Sequence, residues 1–410
     1  MDNSVPVIVL RSVHHGGLGI VRSLGRLGVP VYCIDTDAWT PAFSSRYCRR
    51  RFIVDIENSP PEESVARLLK IGNQIGGRPI LIPTTDRSTV WLADNAGALR
   101  SEFRFPSQNA ALVRLLCDKS RMQQLAARCG VPTATSVVPR SKDDLLNFVE
   151  TAAFPVMVKA TDDERLRRSA GGTKFLIRNR RDLLDLYAKV DTPEDPGFLL
   201  QEFIPGEDWM FNGYFDQNSR CLFGAAGKKI RRFPVSTGVT SLGVCLSNET
   251  VERINAAFMQ AIGYKGILDI GYRYDYRNGQ YKVLDVNPRI GCTFRLFAST
   301  SGLDVSRALY LDMTGQSVPP ATVSDGRKWM VEDFDLASAF LSRREKNLTL
   351  KDWLKSLKGI QETACFSIDD PLPVLLMAVT NCTELYRRAR RKLVPRSAEP
   401  AKLSEATSGL

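Results

Sequence analysis

The sequence predicts an α/β fold in its first quarter and a mixed α+β fold after it. Apolar runs of strand length alternate with helix-length amphipathic stretches to about residue 105, which is the pattern of a parallel sheet with crossover helices. Between "GFLLQEFI" (197–204) and "QYKVLDVNPR" (280–289), strand-like segments are interrupted by only one helix. "RNGQ" (277–280) joins the last two strands as a hairpin-like turn, so the sheet there reads as antiparallel. At 410 residues the chain exceeds what one hydrophobic core commonly serves, so two or three domains are expected.

The first βαβ unit runs from the strand "VPVIVLRS" through the turn and helix "GGLGIVRSLGRLG" to a second strand, "VPVYCIDTD". Gly17 and Gly19 invite a dinucleotide reading, but the third glycine of that fingerprint falls at Arg22, so a structural turn is preferred over a phosphate loop. "ESVARLLKIGNQIG" is an amphipathic helix, "RPILIPTTD" a strand and "STVWLADNAGALR" another helix, which completes a Rossmann-like domain over 1–107.

A helix then starts on Asp118 and stops at Gly130, with Pro132 behind it. It opens a second domain over 108–322. Inside that domain, 133–204 reads as helix "KDDLLNFVETA", strand "FPVMVKA", the polar stretch "TDDERLRRSAGGTK", strand "FLIRN", helix "RDLLDLYAKV" and strand "GFLLQEFI". From about 323 to 394 the segments "RKWMVEDFDLA", "LKDWLKSLKG" and "DDPLPVLLMAV" make a helical extension, and 395–410 is polar enough to be disordered.

Composition narrows the chemistry. Lys+Arg 56 against Asp+Glu 45 gives a net charge of +11, which suits anionic ligands. The basic stretches lack the interleaved aromatics of a stacking platform, so no nucleic acid is expected. Nine cysteines occur without a CxxC pair, which argues against zinc modules and disulfide scaffolds and makes a reducing cytoplasm the simplest setting. No run approaches the roughly 20 apolar residues of a spanning helix. The two histidines, His14 and His15, are adjacent, so a serine–histidine triad built elsewhere, a facial iron site and a HExxH zinc site are all excluded. The chemistry must run on carboxylates, lysines and arginines.

"KVLDVNPRIG" (282–291) carries the strongest signal. Strand alternation puts Asp285, Asn287 and Arg289 on one face, with Leu284 and Val286 on the other. If "GILDIGY" pairs with it through the turn, Asp269 faces Asp285. Two opposed carboxylates call for a cation between them, and two aspartates with an amide suit magnesium completed by phosphates. Arg289 would then contact the transferred phosphate.

Upstream, Lys159 ends a buried strand, and Gly171, Gly172 and Thr173 lie in a loop able to bring backbone N–H groups to phosphate oxygens. Gln201, Glu202, Phe203 and Ile204 end an apolar strand, with Glu207 just beyond, placed to meet an adenine edge and ribose hydroxyls.

This order of motifs resembles the ATP-grasp superfamily over about residues 1–320, and within it the carboxylate–amine ligases of the D-aspartate ligase-like group. The resemblance implies a pre-ATP-grasp N-terminal domain followed by a two-subdomain ATP-grasp fold. It makes Lys119 and Lys159 the phosphate-contacting lysines, "RRSAGGTK" a mobile lid, and Glu202 with Glu207 the adenine and ribose contacts. Asp269, Asp285 and Asn287 become the magnesium set, with manganese as the substitute ion, and Arg289 the arginine of the closing "NPR". Two departures stand out: Asp285 replaces the usual glutamate, and Asp208 is an alternative to Glu207.

The implied reaction phosphorylates a carboxylate from ATP to an acyl phosphate, which an amine then captures, releasing ADP and phosphate. Arg231, in "GKKIRRFPVSTG", and Arg273 are candidates for holding the acid substrate. The rival readings are a non-catalytic ATP-binding partner and a Rossmann-type nucleotide module. In "DDPLPVLLMAVTNCTELYRRARRKLV", Leu375, Val379, Cys382, Tyr386 and Leu393 share one helical stripe, with arginines on the other faces. Docking of that stripe on the catalytic body is the plainer expectation, and contact with an anionic membrane surface is the alternative.

Overall fold

The computed structural model describes residues 1–12, 15–151, 153–161, 163–190, 197–235 and 238–379. Four strands, β1 (Val7–Leu10), β2 (Val31–Asp35), β3 (Cys48–Ile53) and β4 (Ile80–Pro83), form a wholly parallel sheet in the order β3-β2-β1-β4. Its centre is apolar on both faces, as a sheet covered by helices must be. β3, with three consecutive arginines, has no strand signature and is missing from the sequence reading.

Gly17 and Gly19 lie within the helix His15–Gly25, both buried. A β-carbon on Gly17 would strike the backbone of Ser12, and one on Gly19 the ring of Phe294. They permit close packing of this helix and do not cradle phosphate.

The second region holds two sheets. β5 (Ser136–Val137), β6 (Val156–Ala160), β7 (Lys174–Ile177) and β8 (Phe198–Glu202) make a small antiparallel sheet, order β5-β8-β6-β7. It packs on the helices Lys142–Thr151 and Arg180–Tyr187 through Val156, Val158, Leu145, Phe148 and Leu183. About half of the expected glycine-rich loop is helical: Asp163–Ala170 forms a helix, with Arg167 and Arg168 in its last turn.

The larger sheet contains β9 (Asp208–Phe215), β10 (Cys221–Phe233), β11 (Val239–Cys245), β12 (Gly266–Asp275), β13 (Gln280–Asn287), β14 (Lys328–Met330) and β15 (Ile360–Thr363), in the order β13-β12-β9-β10-β11-β14-β15. One face buries Phe211, Phe215, Leu268, Ile270, Tyr272, Val283 and Val286. The helix Lys119–Arg128 packs there through Met122 and Ala126. Its start is set by Asp118, which accepts from the Ser120 and Arg121 amides, and this fixes Lys119 at the sheet's edge.

The C-terminal region is therefore not purely helical, since β14 and β15 extend the sheet beside the helices Glu332–Arg344 and Leu350–Leu357. The anticipated tail, 395–410, and most of the basic helix lie outside the described residues. Among the described residues no helix is long and apolar enough to cross a membrane.

Candidate nucleotide and metal site

A cleft opens between the two sheets of the second region. The small sheet contributes Met157, Lys159, Lys174 and Gln201, the crossing segment Glu202, Phe203 and Ile204, and the large sheet Asp208, Lys229, Arg232, Arg273, Leu284 and Asp285. A bulge shapes this lining. β12 and β13 pair Gly271 with Asp285 and then Tyr272 with Val283, leaving Leu284 as an extra residue. A bulge breaks the two-residue alternation and re-aims side chains. Leu284, expected on the opposite face, thus joins Asp285 in the cleft, while Val283 and Val286 stay in the core.

The register also corrects the expected pairing. Asp269 lies opposite Asn287, and Asp285 lies opposite Gly271. Asn287 donates from Nδ2 to Asp269 Oδ2 at 3.1 Å, and Asn212 donates to Asp269 Oδ1 at 2.8 Å. Both carboxylates rest against glycines: a β-carbon on Gly271 would collide with Asp285, and one on Gly291 with Asp269.

Charge is concentrated around this pair. Lys159 and Lys174 are direct cross-strand partners on β6 and β7, an arrangement that costs energy unless an anion intervenes. Burial, reinforced by Lys174, Lys119 and Lys229 and opposed by Asp285, pushes the Lys159 ammonium down to about 7. Burial alone would raise the Asp285 carboxyl, yet the fields of Lys174, Lys229, Lys159 and Lys119 hold it below the ordinary carboxylate range. Burial raises Asp269, with Arg289 opposing and Asp285 adding to the rise. Lys119 donates to the Ala160 carbonyl at 2.6 Å, which ties the helix to β6.

The other anticipated residues divide between cleft and scaffold. Gln201 is buried, and its Nε2 has no protein partner. Glu202 lines the cleft, but its carboxylate is occupied by Lys282 (2.9 Å), Arg277 (2.8 Å) and the Thr135 amide (3.0 Å). Its side chain therefore braces the strand. Glu207 pairs with Lys228, whereas Asp208 faces the cleft, holding Arg232 and Arg273 at 2.9 Å each. Of the two carboxylates expected near a ribose, only Asp208 lines the cleft. Arg273 also stacks over the Phe203 ring at 5.1 Å.

Gly171 takes the left-handed φ of +78° at the end of its helix, Gly172 lies against Phe175, and the Thr173 carbonyl accepts from the Ala160 amide. None of these three lines the cleft.

Arg231 is turned away from the role expected for it. It grips Asp335 through two bonds of 2.8 Å and donates to Ser356 at 2.6 Å, so it fastens the C-terminal region to β10. Arg289 donates from Nε to Asp86 Oδ1 at 2.6 Å and lies near Asn287 Oδ1 at 3.4 Å. It thus bridges the metal candidates to the N-terminal domain. A second cavity, lined by Pro83, Thr89, Tyr264, Pro288 and Arg289 among others, is largely apolar and lacks the convergent charges of the first.

Asp269, Asp285, Asn287 and Asn212 offer only oxygen ligands, and Asn212 Oδ1 is buried without a partner beside Asp269. Among the described residues no three His, Cys, Asp or Glu side chains form a metal cage. This set fits a hard cation that draws its remaining ligands from phosphate and water.

Lys174, Lys229, Arg232, Met157, Leu284, Asn212 and Asp86 were not singled out from the sequence. Lys174 and Lys229 lie in basic stretches that were noticed, and Asp86 lies just past the end of a parallel strand, where α/β ligand sites collect. Leu284 carried no signal, because the bulge is a property of the strand pair.

Solved structures share this architecture. N5-carboxyaminoimidazole synthetase from Staphylococcus aureus, complexed with ADP, superposes with a TM-score of 0.60 at 17% identity, covering 78% of this chain and 82% of that one. The fold is the one that the ATP-grasp resemblance of the sequence implies. A second solved structure, the L-amino acid ligase from Bacillus licheniformis, gives a TM-score of 0.58 at 14% identity over 78% of each chain. At these identities the structural likeness is one of fold.

Among curated proteins, D-aspartate ligase of Enterococcus faecium is 23% identical over 240 residues, 56% of this chain and 57% of that enzyme. The carbamoyl phosphate synthase large chain of Haemophilus ducreyi is 21% identical over 209 residues, 49% of this chain and 19% of that one. The chain thus spans little more than half of the first relative and a fifth of the second. No family model matches.

Proposed function

We propose that this protein is an ATP-dependent carboxylate–amine ligase of the ATP-grasp type. The observation that carries the reading is the lysine quartet. The fields of Lys119, Lys159, Lys174 and Lys229 converge on the half-buried Asp285, and Lys159 stands directly across from Lys174. Such a cluster is costly in the empty protein and is stabilised by a polyanion with its counter-cation.

Met157, Phe203, Ile204 and Leu284 offer an apolar slot for a purine, and the unpartnered Gln201 Nε2 a donor to its edge. Asp208 is placed for ribose hydroxyls. Asp269, Asp285 and Asn287 would hold magnesium, with Asn212 orienting Asp269. Bound magnesium would supply charge neutralisation at the phosphates.

The lysines position the terminal phosphate and offset its charge, which is most of what phosphoryl transfer requires of a protein. Arg289, at the junction with the N-terminal domain, would hold the acid being activated. The carboxylate oxygen attacks the γ-phosphorus, ADP leaves, and the amine then displaces phosphate. The activities named for the D-aspartate ligase and L-amino acid ligase relatives accord with this chemistry.

The test is to incubate the protein with ATP, magnesium and pooled carboxylic acids, trap the acyl phosphate with hydroxylamine and identify the hydroxamate by mass. Asp285→Asn should abolish the product. ATP binding without ADP release under any acid would favour the non-catalytic partner reading.

A further inference from the structure

A cavity of about 300 Å³ lies beside the nucleotide cleft, between β10 and the helix Glu332–Arg344, and Asp208, Lys229 and Arg232 line both spaces. The register of β10 on β11 shifts twice, between Lys229 and Arg231 and again between Arg231 and Arg232. Such irregularities re-aim side chains. Four consecutive residues, Lys229 to Arg232, thus line one cavity where a regular strand would turn alternate ones away. The opposite wall is Ser342, Asn347 and Leu348. Ser338 fixes it by donating to the Arg232 carbonyl at 2.8 Å, and Lys346, at a left-handed φ of +60°, turns the chain after the helix.

Charge does not balance here. Arg231 is matched by Asp335, Asp208 answers both Arg232 and Arg273, and Lys229 forms no ion pair among the described residues. Four cations thus meet two carboxylates. Burial lowers the Arg232 guanidinium, and Arg273 adds to the fall against Asp208. A half-buried cationic surplus is stabilised by an anion. ATP would engage Lys229 from the cleft side, which leaves the excess that Arg232 and Arg273 share about Asp208.

We propose that this cavity receives the amine substrate, and that this substrate is a primary amine carrying its own anionic group, a carboxylate or a phosphate. The proposal rests on the ligase reading. Arg232 would take the anion, with the amine toward Lys229 and the acyl phosphate beyond it. Nearby cations favour the neutral amine over the ammonium, and only the neutral form has a lone pair to donate. That pair attacks the acyl carbon, the bond from this carbon to the phosphate oxygen breaks, phosphate leaves, and the nitrogen releases its extra proton to water. An amine without an anion has nothing to offset the surrounding charge.

The experiment supplies the full-length protein with ATP, magnesium and the pooled acids, adds propylamine, β-alanine or phosphoethanolamine, and follows ADP release and the mass of the amide. One of the two anionic amines should exceed propylamine in kcat/KM by about tenfold or more, and which of them does so separates carboxylate from phosphate. Leu348→Glu, and separately Ser342→Asp, set a carboxylate into the cavity and should raise the KM of that amine by about tenfold or more. The KM of ATP should stay unchanged, which also shows that the variants fold. Propylamine performing as well, or an amine KM that neither variant moves, would overturn the proposal. If no acid and amine pair releases ADP, the ligase reading fails instead. Calorimetric titration of both anionic amines in the presence of ADP and magnesium then decides the site: binding that Leu348→Glu weakens supports it, and binding that is absent or unaltered overturns it.

Discussion

Asp285 lies directly across the β12–β13 ladder from Gly271, its carboxylate in the space that a β-carbon would fill. A methyl group at 271 must therefore move the carboxylate. Gly271→Ala is expected to lower magnesium-dependent ATP turnover by at least about 100-fold, the scale seen when a positioned charge-stabilising group is lost. Thermal unfolding alongside steady-state ADP release checks it; unchanged turnover would mean that Asp285 does not act from this position.

Lys159 and Lys174 repel one another across their ladder. Lys174→Gln should weaken ATP binding by about tenfold to a hundredfold, the value of a charged hydrogen bond, while leaving the empty protein as stable or more so. Calorimetric titration and a melting curve together test this. A purely structural lysine would show the opposite pattern, with lower stability and unaltered affinity.

Lys159 sits at about 7 in the empty protein, well below the 10.5 of an ordinary lysine, because it is buried and has lysine neighbours. Phosphates would raise it again, so above about pH 7 ATP binding should take up a proton and lose up to about tenfold in affinity per pH unit. Proton uptake at pH 8 can be read from binding heats in buffers of different ionisation enthalpy. The same depression acts on folding. Between about pH 7 and 10.5 the unfolded chain binds the extra proton, so this group makes the empty protein more stable as pH rises across that window.

Arg231 and Asp335 form a buried two-bond pair. Arg231→Ala strands Asp335 and should destabilise the protein by about 3 kcal/mol, with little change in ATP affinity. Urea unfolding and a binding titration distinguish this anchoring role from substrate contact; a large rise in KM for the acid at unchanged stability would contradict it.

Local signals in the chain were enough to read the element types, the start of the helix at Asp118 and the chemical kinds of residue around residue 285. Each depends on neighbours within a few positions, such as a cap, an apolar run or a polar interruption of a strand. Glu202 and Glu207 show where that reading stops. Both follow the right strand, but the first carboxylate is taken by Lys282 and Arg277 and the second by Lys228, partners set by long-range pairing. Arg231 was likewise the right kind of residue on a strand whose register shifts at that point.

By itself the sequence determined the alternating α/β start, the carboxylate and amide side chains near residue 285 and the surplus of cations, because these follow from composition and short-range periodicity. Only the tertiary structure decided that Asp269 answers Asn287 and not Asp285, that Leu284 turns into the cleft, and that Lys174 and Lys229 join Lys159 around one carboxylate. The physical reason is that a bulge and a strand register belong to pairs of strands. The burial that moves Lys159 to about 7 arises only when two sheets close on it.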